Sequence, residues 1–413
     1  MLGGGMPASS RVCRATSPAG TPETVGLANW EAGGSLSTDR LTRAWVEVRA
    51  SALRRNIGRI RSAMGPDAKI IPMVKADAYG LGVDRAVAAL EPTEPWGYGV
   101  ATVEEGRDLR RLGVDRPVLV VSPIPPGSYG TAVEEGLTLA LSDLIGLGRL
   151  EEAARRLGRE ADFHVEVDTG MGRSGFDWRQ AAVWGPAVAD RGDGRVRWTG
   201  CFTHFHSADE SDSSSVRTQW NRFQDALGAV ATPADPAFMI HAANSPAALR
   251  CGDFLPAVVR PGIFMYGGRA GEGLPTPEPV ASLRARVLFI KEAPPGSTLG
   301  YGATYAATGW ERWATLGIGY GDGFPRALSN KGHALIRGAR VPIIGRVSMD
   351  VTVANISEVD GVELGDVATL VGRDGEEEIT LNEVAELVGT IDYEILTGLG
   401  LRLPRVWVDD GGD

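Results

Sequence analysis

The sequence predicts an α/β protein, a (β/α)8 TIM barrel followed by a mainly β C-terminal domain. From about residue 66 to residue 270, short apolar strands alternate with amphipathic helices, as is typical of parallel β/α units. From about residue 280 onward, the apolar segments are short, rich in Val and Ile, and separated by Gly, Pro and Asp turns. A Gly- and Pro-rich linker at 267–279 joins the two parts.

Eight candidate strands carry the barrel prediction. Eight strand–helix units in about 200 residues favour a closed barrel, although alternation alone is also compatible with a doubly wound sheet. The strands are expected at 70–74, 97–101, 118–121, 137–141, 163–167, 198–203, 238–241 and 258–260. Helices are expected at 53–64, 83–91, 102–112, 144–157 and 214–229.

The C-terminal part is expected to be built from six strands, at 283–290, 313–316, 333–336, 341–344, 350–354 and 366–370. We interpret residues 1–42 as a disordered extension or a mis-assigned start, residues 43–275 as the barrel and residues 280–413 as the β domain. A first strand at 44–48 precedes the barrel and could pair with the C-terminal domain.

Bulk composition excludes several classes of protein. A net charge of -10 argues against binding to nucleic acid or to an anionic membrane. No apolar stretch is long enough to span a bilayer, and residues 1–40 lack the apolar segment of a signal peptide. Cys13, Cys201 and Cys251 have neither metal-ligand spacing nor a disulfide pattern. We therefore expect a cytoplasmic protein without a metal site.

Polar residues follow the predicted strands at the end where barrel enzymes place their catalytic groups. Lys75 follows the first strand, and a desolvated lysine is a nucleophile suited to Schiff-base chemistry. Each residue alone has an ordinary structural explanation, such as a surface lysine or a core histidine. Their convergence on one barrel mouth is harder to explain in that way. The other strand ends carry Glu166 to Arg173, His204, His241 to Ser245, and Arg260 to Ile263, and four of the five histidines lie at or beside them.

The residue types at these ends suit one cofactor. Lys75 can hold an aldehyde, and Ser245 with the backbone at Gly262 can donate to a phosphate. His204 could stack on a planar ring, and Arg260 could donate to a ring nitrogen. This combination indicates pyridoxal 5'-phosphate.

Over about residues 43–408 the chain resembles the alanine racemases, the barrel-fold class (fold-type III) of pyridoxal-phosphate enzymes. The matching segments are 73–82, 167–175, 203–210, 241–248, 260–267, 301–305, 317–326, 345–350 and 393–407. Any one of these motifs would be weak, but their number and order are specific.

The resemblance implies a site for each cofactor and substrate group. Lys75 would carry the cofactor, and Tyr301 would be the second base, supplied to the active site of the opposite subunit of a homodimer. The protein would racemise alanine and supply D-alanine for peptidoglycan. The implied cofactor contacts are Lys75, Tyr79, His204, Asn244, Ser245, Arg260, Gly262, Ile263 and Tyr393. The implied substrate contacts are Arg173, Met349 and Asp350, with Tyr320 in the entrance corridor.

Racemisation removes a proton from one face of Cα and returns it on the other, so two opposed bases are needed. Free lysine and tyrosine titrate near pH 10, and we therefore expect burial and a cation such as Arg173 to tune both. Arg260 cannot give up its proton, so it would leave the cofactor ring nitrogen as an acceptor. The ring then remains a weak electron sink, which favours proton return over side reactions.

Three positions depart from the family pattern. Many members have a carbamylated lysine where Glu166 stands, and that anion orients the arginine matching Arg173. We expect Glu166 to pair with Arg173 and to replace the carbamate. Leu81 stands where a histidine is usual, and His206 adds a polar group after Phe205, and no effect is assigned to either.

Three alternatives to an alanine racemase remain. A broader racemase of the same fold would act on Ser, Lys or Arg, although its periplasmic members usually carry a signal peptide and disulfide cysteines. A pyridoxal-phosphate amino-acid decarboxylase shares the fold, but Arg260 argues against it because decarboxylation benefits from a protonated ring. A non-catalytic cofactor-binding protein would lack the second base, Tyr301.

Overall fold

The structure is a computed structural model that describes residues 42–190, 194–252 and 254–408. The predicted extension at 1–42 lies outside the described residues, apart from its last residue. Within the described ranges, no helix combines the length and the apolar character needed to cross a membrane.

The first part of the chain contains eleven strands among the described residues. They are β1 (Ala44–Arg49), β2 (Lys69–Ile70), β3 (Tyr98–Val100), β4 (Val118–Val120), β5 (Thr138–Leu141), β6 (Ala161–Asp168), β7 (Phe176–Asp177), β8 (Val196–Phe202), β9 (Met239–His241), β10 (Ala243–Asn244) and β11 (Val258–Arg260).

Eight of these strand positions form a parallel barrel. Strands β3 to β6, then β8 and β9, pair in that order, and β10, β11 and β2 pair in a second sheet. Strands β9 and β10 are separated by one residue and together count as one barrel strand. An isolated parallel bridge between Met73 and Gly99 joins the barrel strand that begins with β2 to β3. The (β/α)8 prediction is therefore confirmed, and the carboxyl ends of the strands share one mouth.

The first barrel strand is shorter than expected. The sequence predicts a strand over 70–74, whereas the strand covers Lys69–Ile70 and is followed by an isolated bridge at Met73, although the Ile71 N–H still donates to the Val259 carbonyl at 2.8 Å. Pro72 has no N–H to donate, which interrupts a ladder at that position. The chain stays extended up to Val74, whose N–H donates to the Gly99 carbonyl at 2.9 Å.

The helices of this part flank the barrel strands. The helices predicted at 144–157 and 214–229 have those bounds. The Asp143 side chain caps the first of them by accepting the Gly146 N–H at 2.6 Å. The helices are α1 (Ala50–Met64), α2 (Lys75–Gly80), α3 (Val83–Leu90), α4 (Val103–Arg111), α5 (Tyr129–Glu134), α6 (Leu144–Leu157), α7 (Ala181–Ala189), α8 (Ser214–Ala229) and α9 (Ser245–Cys251).

The second part of the chain is mainly β, as predicted. Among the described residues its nine-stranded sheet has the order β20-β19-β16-β17-β18-β15-β12-β1-β21, so β1 lies between β12 and β21. The elements are β12 (Ala281–Ala293), β13 (Thr298–Leu299), β14 (Tyr305–Ala306), β15 (Glu311–Leu316), β16 (His333–Ile336), β17 (Ala339–Ile344), β18 (Thr352–Asn355), β19 (Val367–Asp374), β20 (Glu377–Ile379), α10 (Leu381–Val388), α11 (Asp392–Thr397) and β21 (Arg405–Val408).

The barrel interior is apolar except near the mouth. Val165 and Val167 alternate along β6 with His164 and Glu166, and all four side chains are buried. Successive residues of a strand point to opposite sides. His164 and Glu166 therefore share one side of β6, and this alternation brings polar groups into an otherwise apolar core.

Candidate active site

Lys75 lies at the barrel mouth at the start of an unusual turn. Residues Ala76 to Tyr79 have positive φ angles of 53° to 57°, which makes α2 a single left-handed turn. This conformation costs L-residues about 1–2 kcal/mol each, so the surroundings must hold it. Glu105 accepts the Ala76 N–H at 2.7 Å, and Asp77 accepts the Val83 N–H at 2.7 Å.

The ammonium of Lys75 is partly buried among cations. Burial lowers the pKa of Lys75, and the neighbouring charge of Arg173 lowers it further, while Glu105 opposes the shift. This agrees with the expected tuning by desolvation and by Arg173. A lysine with a lowered pKa is neutral, and so nucleophilic and basic, over a wider pH range.

One wall of the mouth is a close packing of Tyr79 against Gly262. A Cβ placed on Gly262 would lie 2.3 Å from the Tyr79 hydroxyl oxygen, so only glycine fits here. Tyr79 stacks on Tyr266 with ring centroids 4.6 Å apart, and the ring centroid of Tyr393 lies 6.0 Å from that of Tyr79. Burial keeps the pKa of Tyr79 well above the ordinary tyrosine value, so its hydroxyl is a donor at neutral pH.

Ser245 and Gly262 are joined directly. The Gly262 N–H donates to Ser245 Oγ at 2.9 Å, and the serine hydroxyl proton remains to be donated elsewhere. The neighbouring Asn244 side chain caps α9 by accepting the Ala247 N–H at 3.1 Å. Ile263 is fully buried behind Gly262. These residues form a small concave wall of hydroxyl and backbone donors, which suits an anion.

The guanidinium of Arg260 is buried, and two of its three nitrogens, Nη1 and Nη2, make hydrogen bonds. Nη1 contacts His241 Nδ1 at 2.6 Å, and Nη2 donates to the Thr203 carbonyl at 2.9 Å and lies 3.3 Å from His204 Nδ1. Among the described residues Nε–H has no protein acceptor. Burial lowers the pKa of Arg260 to about 10, with Glu166 acting in the opposite direction, so the guanidinium stays charged at neutral pH.

His204 is neutral at this site. Burial and the nearby Arg260 lower its pKa to about 3. Its backbone carbonyl accepts from the Gln219 side chain at 3.1 Å, and the same side chain accepts the His206 N–H at 3.1 Å. Gln219 thus fixes the loop that presents an uncharged imidazole to the mouth.

The expected ion pair between Glu166 and Arg173 is not formed in this structure. Glu166 is buried and accepts a hydrogen bond from Ser142 Oγ at 3.0 Å. Arg173 is exposed, on the loop after β6. Because Glu166 points into the barrel interior, its charge acts on Arg260 instead.

The other four predicted site residues lie on the C-terminal domain and are exposed: Tyr301, Tyr320, Met349 and Asp350. The Tyr320 N–H donates to the Ser348 carbonyl at 3.0 Å, and Arg402 binds Asp350 at 2.8 Å. Within the part of the chain that the structure covers, no recorded hydrogen bond, ion pair or ring contact joins them to Lys75. One chain therefore holds two incomplete halves of the predicted site.

Three buried groups at or near the site had no predicted role. His164 and His241 form a buried pair at 2.8 Å next to Arg260, and His164 lies within β6 and not at its end. Asp322 is 1% exposed and binds Arg43 at 2.8 Å and Arg402 at 3.0 Å, which ties together the loop that carries Tyr320. The alternation of His164 and Glu166 with apolar residues along β6 was the available signal for the first group.

The arrangement fits a phosphorylated aromatic aldehyde. Lys75 supplies the amine, the wall at Ser245 and Gly262 suits a phosphate, and Arg260 has an unused donor for a ring acceptor. Within the described ranges no cluster of three or more His, Cys, Asp or Glu side chains could hold a metal ion.

Two family profiles together match almost all of the described part of the chain. The profile of the alanine racemase N-terminal domain matches residues 48–270, and that of the alanine racemase C-terminal domain matches residues 280–407. The alanine racemase of Halothermothrix orenii is 36% identical over 377 residues, which covers 89% of this chain and 97% of that relative.

Solved structures give the same result. The alanine racemase of Clostridium difficile 630 superposes with a TM-score of 0.84 at 30% identity. The superposition covers 90% of this chain and 97% of the racemase chain. The alanine racemase of Bartonella henselae, solved with covalently bound pyridoxal phosphate, has a TM-score of 0.80 at 26% identity, with coverage of 89% and 99%.

Proposed function

The chain belongs to the alanine racemase family, and we propose from this premise that Lys75 and Tyr301 are the two bases of its reaction. The protein is a pyridoxal 5'-phosphate-dependent isomerase that interconverts L-alanine and D-alanine. The observation that carries the residue assignment is Lys75, a partly buried lysine with a lowered pKa beside an anion-binding wall. Its physiological role would be to supply D-alanine for peptidoglycan.

The cofactor would be held by groups that the barrel mouth already aligns. Lys75 would hold its aldehyde carbon, and Tyr79, Ser245 and the backbone at Gly262 would hold its phosphate. When bound, pyridoxal phosphate makes the Cα–H bond of an attached amino acid acidic enough for a protein base to remove the proton.

The remaining residues assigned to the cofactor lie around the groups that hold its aldehyde and its phosphate. Asn244, by capping α9, would keep Ser245 in place. Ile263 would contribute its backbone, His204 would pack beside the ring, and Tyr393 would approach the phosphate from the side of Tyr79.

Lys75 and Tyr301 would serve opposite faces of Cα. The lowered pKa of Lys75 favours its uncharged form, which can accept a proton. The exposed Arg173 would receive the substrate carboxylate, since a guanidinium matches a carboxylate in shape and charge. The proton removed by one base would then be replaced by the other base from the opposite face.

Arg260 would set the electronic character of the ring. Its hydrogen bonds to His241 and to the Thr203 carbonyl fix the guanidinium, and Nε–H remains for a ring nitrogen. Because a guanidinium does not release its proton at neutral pH, the ring nitrogen would stay unprotonated. That limits electron withdrawal and favours racemisation over decarboxylation.

The active form would be a homodimer with shared sites. Tyr301 is 69% exposed and Met349 is 52% exposed, which is unusual for large side chains with a function inside a pocket. A two-fold axis would carry these residues, with Tyr320 and Asp350, onto the partner's barrel mouth. Light scattering should give twice the chain mass at working concentrations, and a monomer that is fully active would contradict the proposal.

Glu166 would replace the carbamate by acting inside the barrel. Its buried carboxylate would offset the charge of Arg260 and hold Ser142. We expect wild-type activity to be indifferent to bicarbonate and a Glu166→Lys variant to gain activity when bicarbonate is added. A wild-type enzyme that needs bicarbonate would contradict this role.

The function is tested by incubating the cofactor-loaded protein with a panel of L-amino acids in heavy water. We expect deuterium at Cα and loss of optical purity for alanine, abolished in Lys75→Ala but kept in Lys291→Ala, a control lysine of the C-terminal domain. Equal turnover of Ser, Lys or Arg would indicate a broader racemase. Carbon dioxide release would indicate a decarboxylase, and visible cofactor absorbance without exchange would indicate binding alone.

We propose that the protein is located in the cytoplasm. This proposal is supported by the three cysteines of the sequence, whose spacing shows no disulfide pattern, as suits a reducing compartment. Fractionation of the native host would test it.

A further inference from the structure

Three side chains form a continuous polar file from the barrel interior to its mouth. Arg260 Nη1 lies 2.6 Å from His241 Nδ1, and His241 Nε2 lies 2.8 Å from His164 Nδ1. All three are buried, with exposures of 5%, 0% and 1% from the mouth inward. The site assigned above uses Arg260 but gives no role to His164.

The direction of each hydrogen bond in the file follows from its first member. A guanidinium only donates, so His241 Nδ1 must accept and carry no proton. A neutral imidazole then has its proton on Nε2, and that proton points at His164 Nδ1. His164 Nδ1 must accept in turn, which places its own proton on Nε2. One protonation pattern therefore satisfies both contacts.

The surroundings keep both imidazoles neutral. Burial lowers the pKa of His164 to about 3 and holds the pKa of His241 well below the ordinary histidine value, and the charge of Arg260 acts in the same direction. The groups that face His241 include one cation, Arg260, and one neutral ring, His164. A protonated His241 would direct an N–H at the guanidinium, so the neutral form is required by geometry as well.

The packing around the file leaves little freedom for the rings. Phe202 stacks on His241 with centroids 4.8 Å apart and an angle of 11°, and the Arg260 guanidinium lies 5.0 Å from the same phenyl ring. Gly200, the register partner of His164 on β8, has no side chain where the His164 ring lies. A Cβ there would be 2.7 Å from His164 Nε2, so the strand pair is shaped around this histidine.

We propose that His164 is a positioning residue that locks the proton of His241 on Nε2 and thereby keeps Nδ1 available to hold Arg260. Without an acceptor at His164, the Nε2–H of His241 is buried with no partner in the file, and only the contact with Arg260 still favours this tautomer. The other tautomer would set an N–H against the Nη1–H of Arg260, and the guanidinium would have to move. The consequence for the cofactor rests on the proposed function, since it assumes that Arg260 contacts the cofactor ring.

The test compares His164→Leu, which removes the acceptor, with His164→Asn, whose side-chain oxygen can replace Nδ1. His333→Leu is the matched control, because His333 lies on β16 of the other domain and its buried Nδ1 has no hydrogen-bond partner among the described residues. The readouts are the Kd of pyridoxal phosphate for the cofactor-free protein, the visible absorbance of the loaded protein, and nitrogen NMR of labelled histidines, which reports each ring tautomer.

In His164→Leu we expect the Kd to rise about tenfold, as for a buried donor that loses its partner. The visible band should shift, and the NMR signals of His241 should show a mixture of tautomers. His164→Asn should restore all three, and His333→Leu should change none. A folded His164→Leu protein with wild-type tautomer, band and Kd would overturn the proposal. Failure of the wild-type protein to bind pyridoxal phosphate at all would instead refute the proposed function.

Discussion

Gly262→Ala tests the packing that forms the cofactor wall. The added Cβ would lie 2.3 Å from the hydroxyl oxygen of Tyr79 and 3.0 Å from its Cζ. Tyr79 cannot yield easily, because it is 6% exposed, stacks on Tyr266 and belongs to the left-handed turn after Lys75. Either Tyr79 or the strand end that carries Gly262 must move out of place.

Inserting a methyl group into a packed site costs about 1–3 kcal/mol. If this cost falls on the cofactor-binding conformation, the Kd of pyridoxal phosphate should rise about 5- to 140-fold, at 1.4 kcal/mol for each factor of ten. The assay is titration of the cofactor-free protein, followed by its visible absorbance. Circular dichroism establishes that the variant is folded.

Gly58→Ala is the control, because Gly58 lies on α1 and an added Cβ meets nothing within 4 Å. It should leave the Kd unchanged and stabilise the helix by about 0.5–1 kcal/mol. If Gly262→Ala binds the cofactor as tightly as the wild type, the assignment of this wall to the cofactor is refuted.

Three further predictions follow from charges at and near the site. Arg173→Ala should move the pH at which cofactor-free protein captures pyridoxal phosphate half-maximally to higher values, because Arg173 helps to lower the pKa of Lys75; an unchanged profile would contradict this. The free energy of unfolding should fall as the pH drops below 6.5, because the unfolded chain then protonates histidines that the folded protein keeps neutral. His164→Leu should reduce the pH dependence of the free energy of unfolding by up to about 1.4 kcal/mol per pH unit, measured by urea unfolding at several pH values. An equal pH dependence in the variant and the wild type would contradict this. Asp322→Asn should destabilise the protein by about 1–3 kcal/mol and raise the KM for L-alanine, since Asp322 holds Arg402, which in turn binds the proposed substrate contact Asp350; a wild-type KM and urea midpoint would contradict this.

Residue types and order were enough to predict the barrel, and they brought the side chains that we assign to the site to its mouth. Lys75 and Arg260 follow apolar strands, and parallel strands bring their carboxyl ends together whatever the details of packing. Helices α6 and α8 also have the predicted bounds. These features depend on local pattern and on a general rule of the fold.

Other features depend on contacts between distant parts of the chain. Local propensity disfavours positive φ at Ala76 to Tyr79, so the left-handed turn could not be predicted; contacts with Glu105 and with Arg405, which donates to the Gly80 carbonyl at 2.8 Å, support it. Glu166 was expected at Arg173 because it stands where many members of the family have a carbamylated lysine that orients the matching arginine. The pleat of β6 directs it into the barrel instead, towards Arg260.

The central claim is that Lys75 of one subunit works with Tyr301 of the other. Lys75→Ala and Tyr301→Phe chains, each inactive alone, can be mixed in equal amounts under conditions that exchange subunits. Half of the dimers would then be mixed, and each mixed dimer would contain one intact site, so the activity should recover to about a quarter of the wild-type value. If mixed dimers form, as differently tagged chains would report, and racemase activity does not return, the shared-site account is wrong.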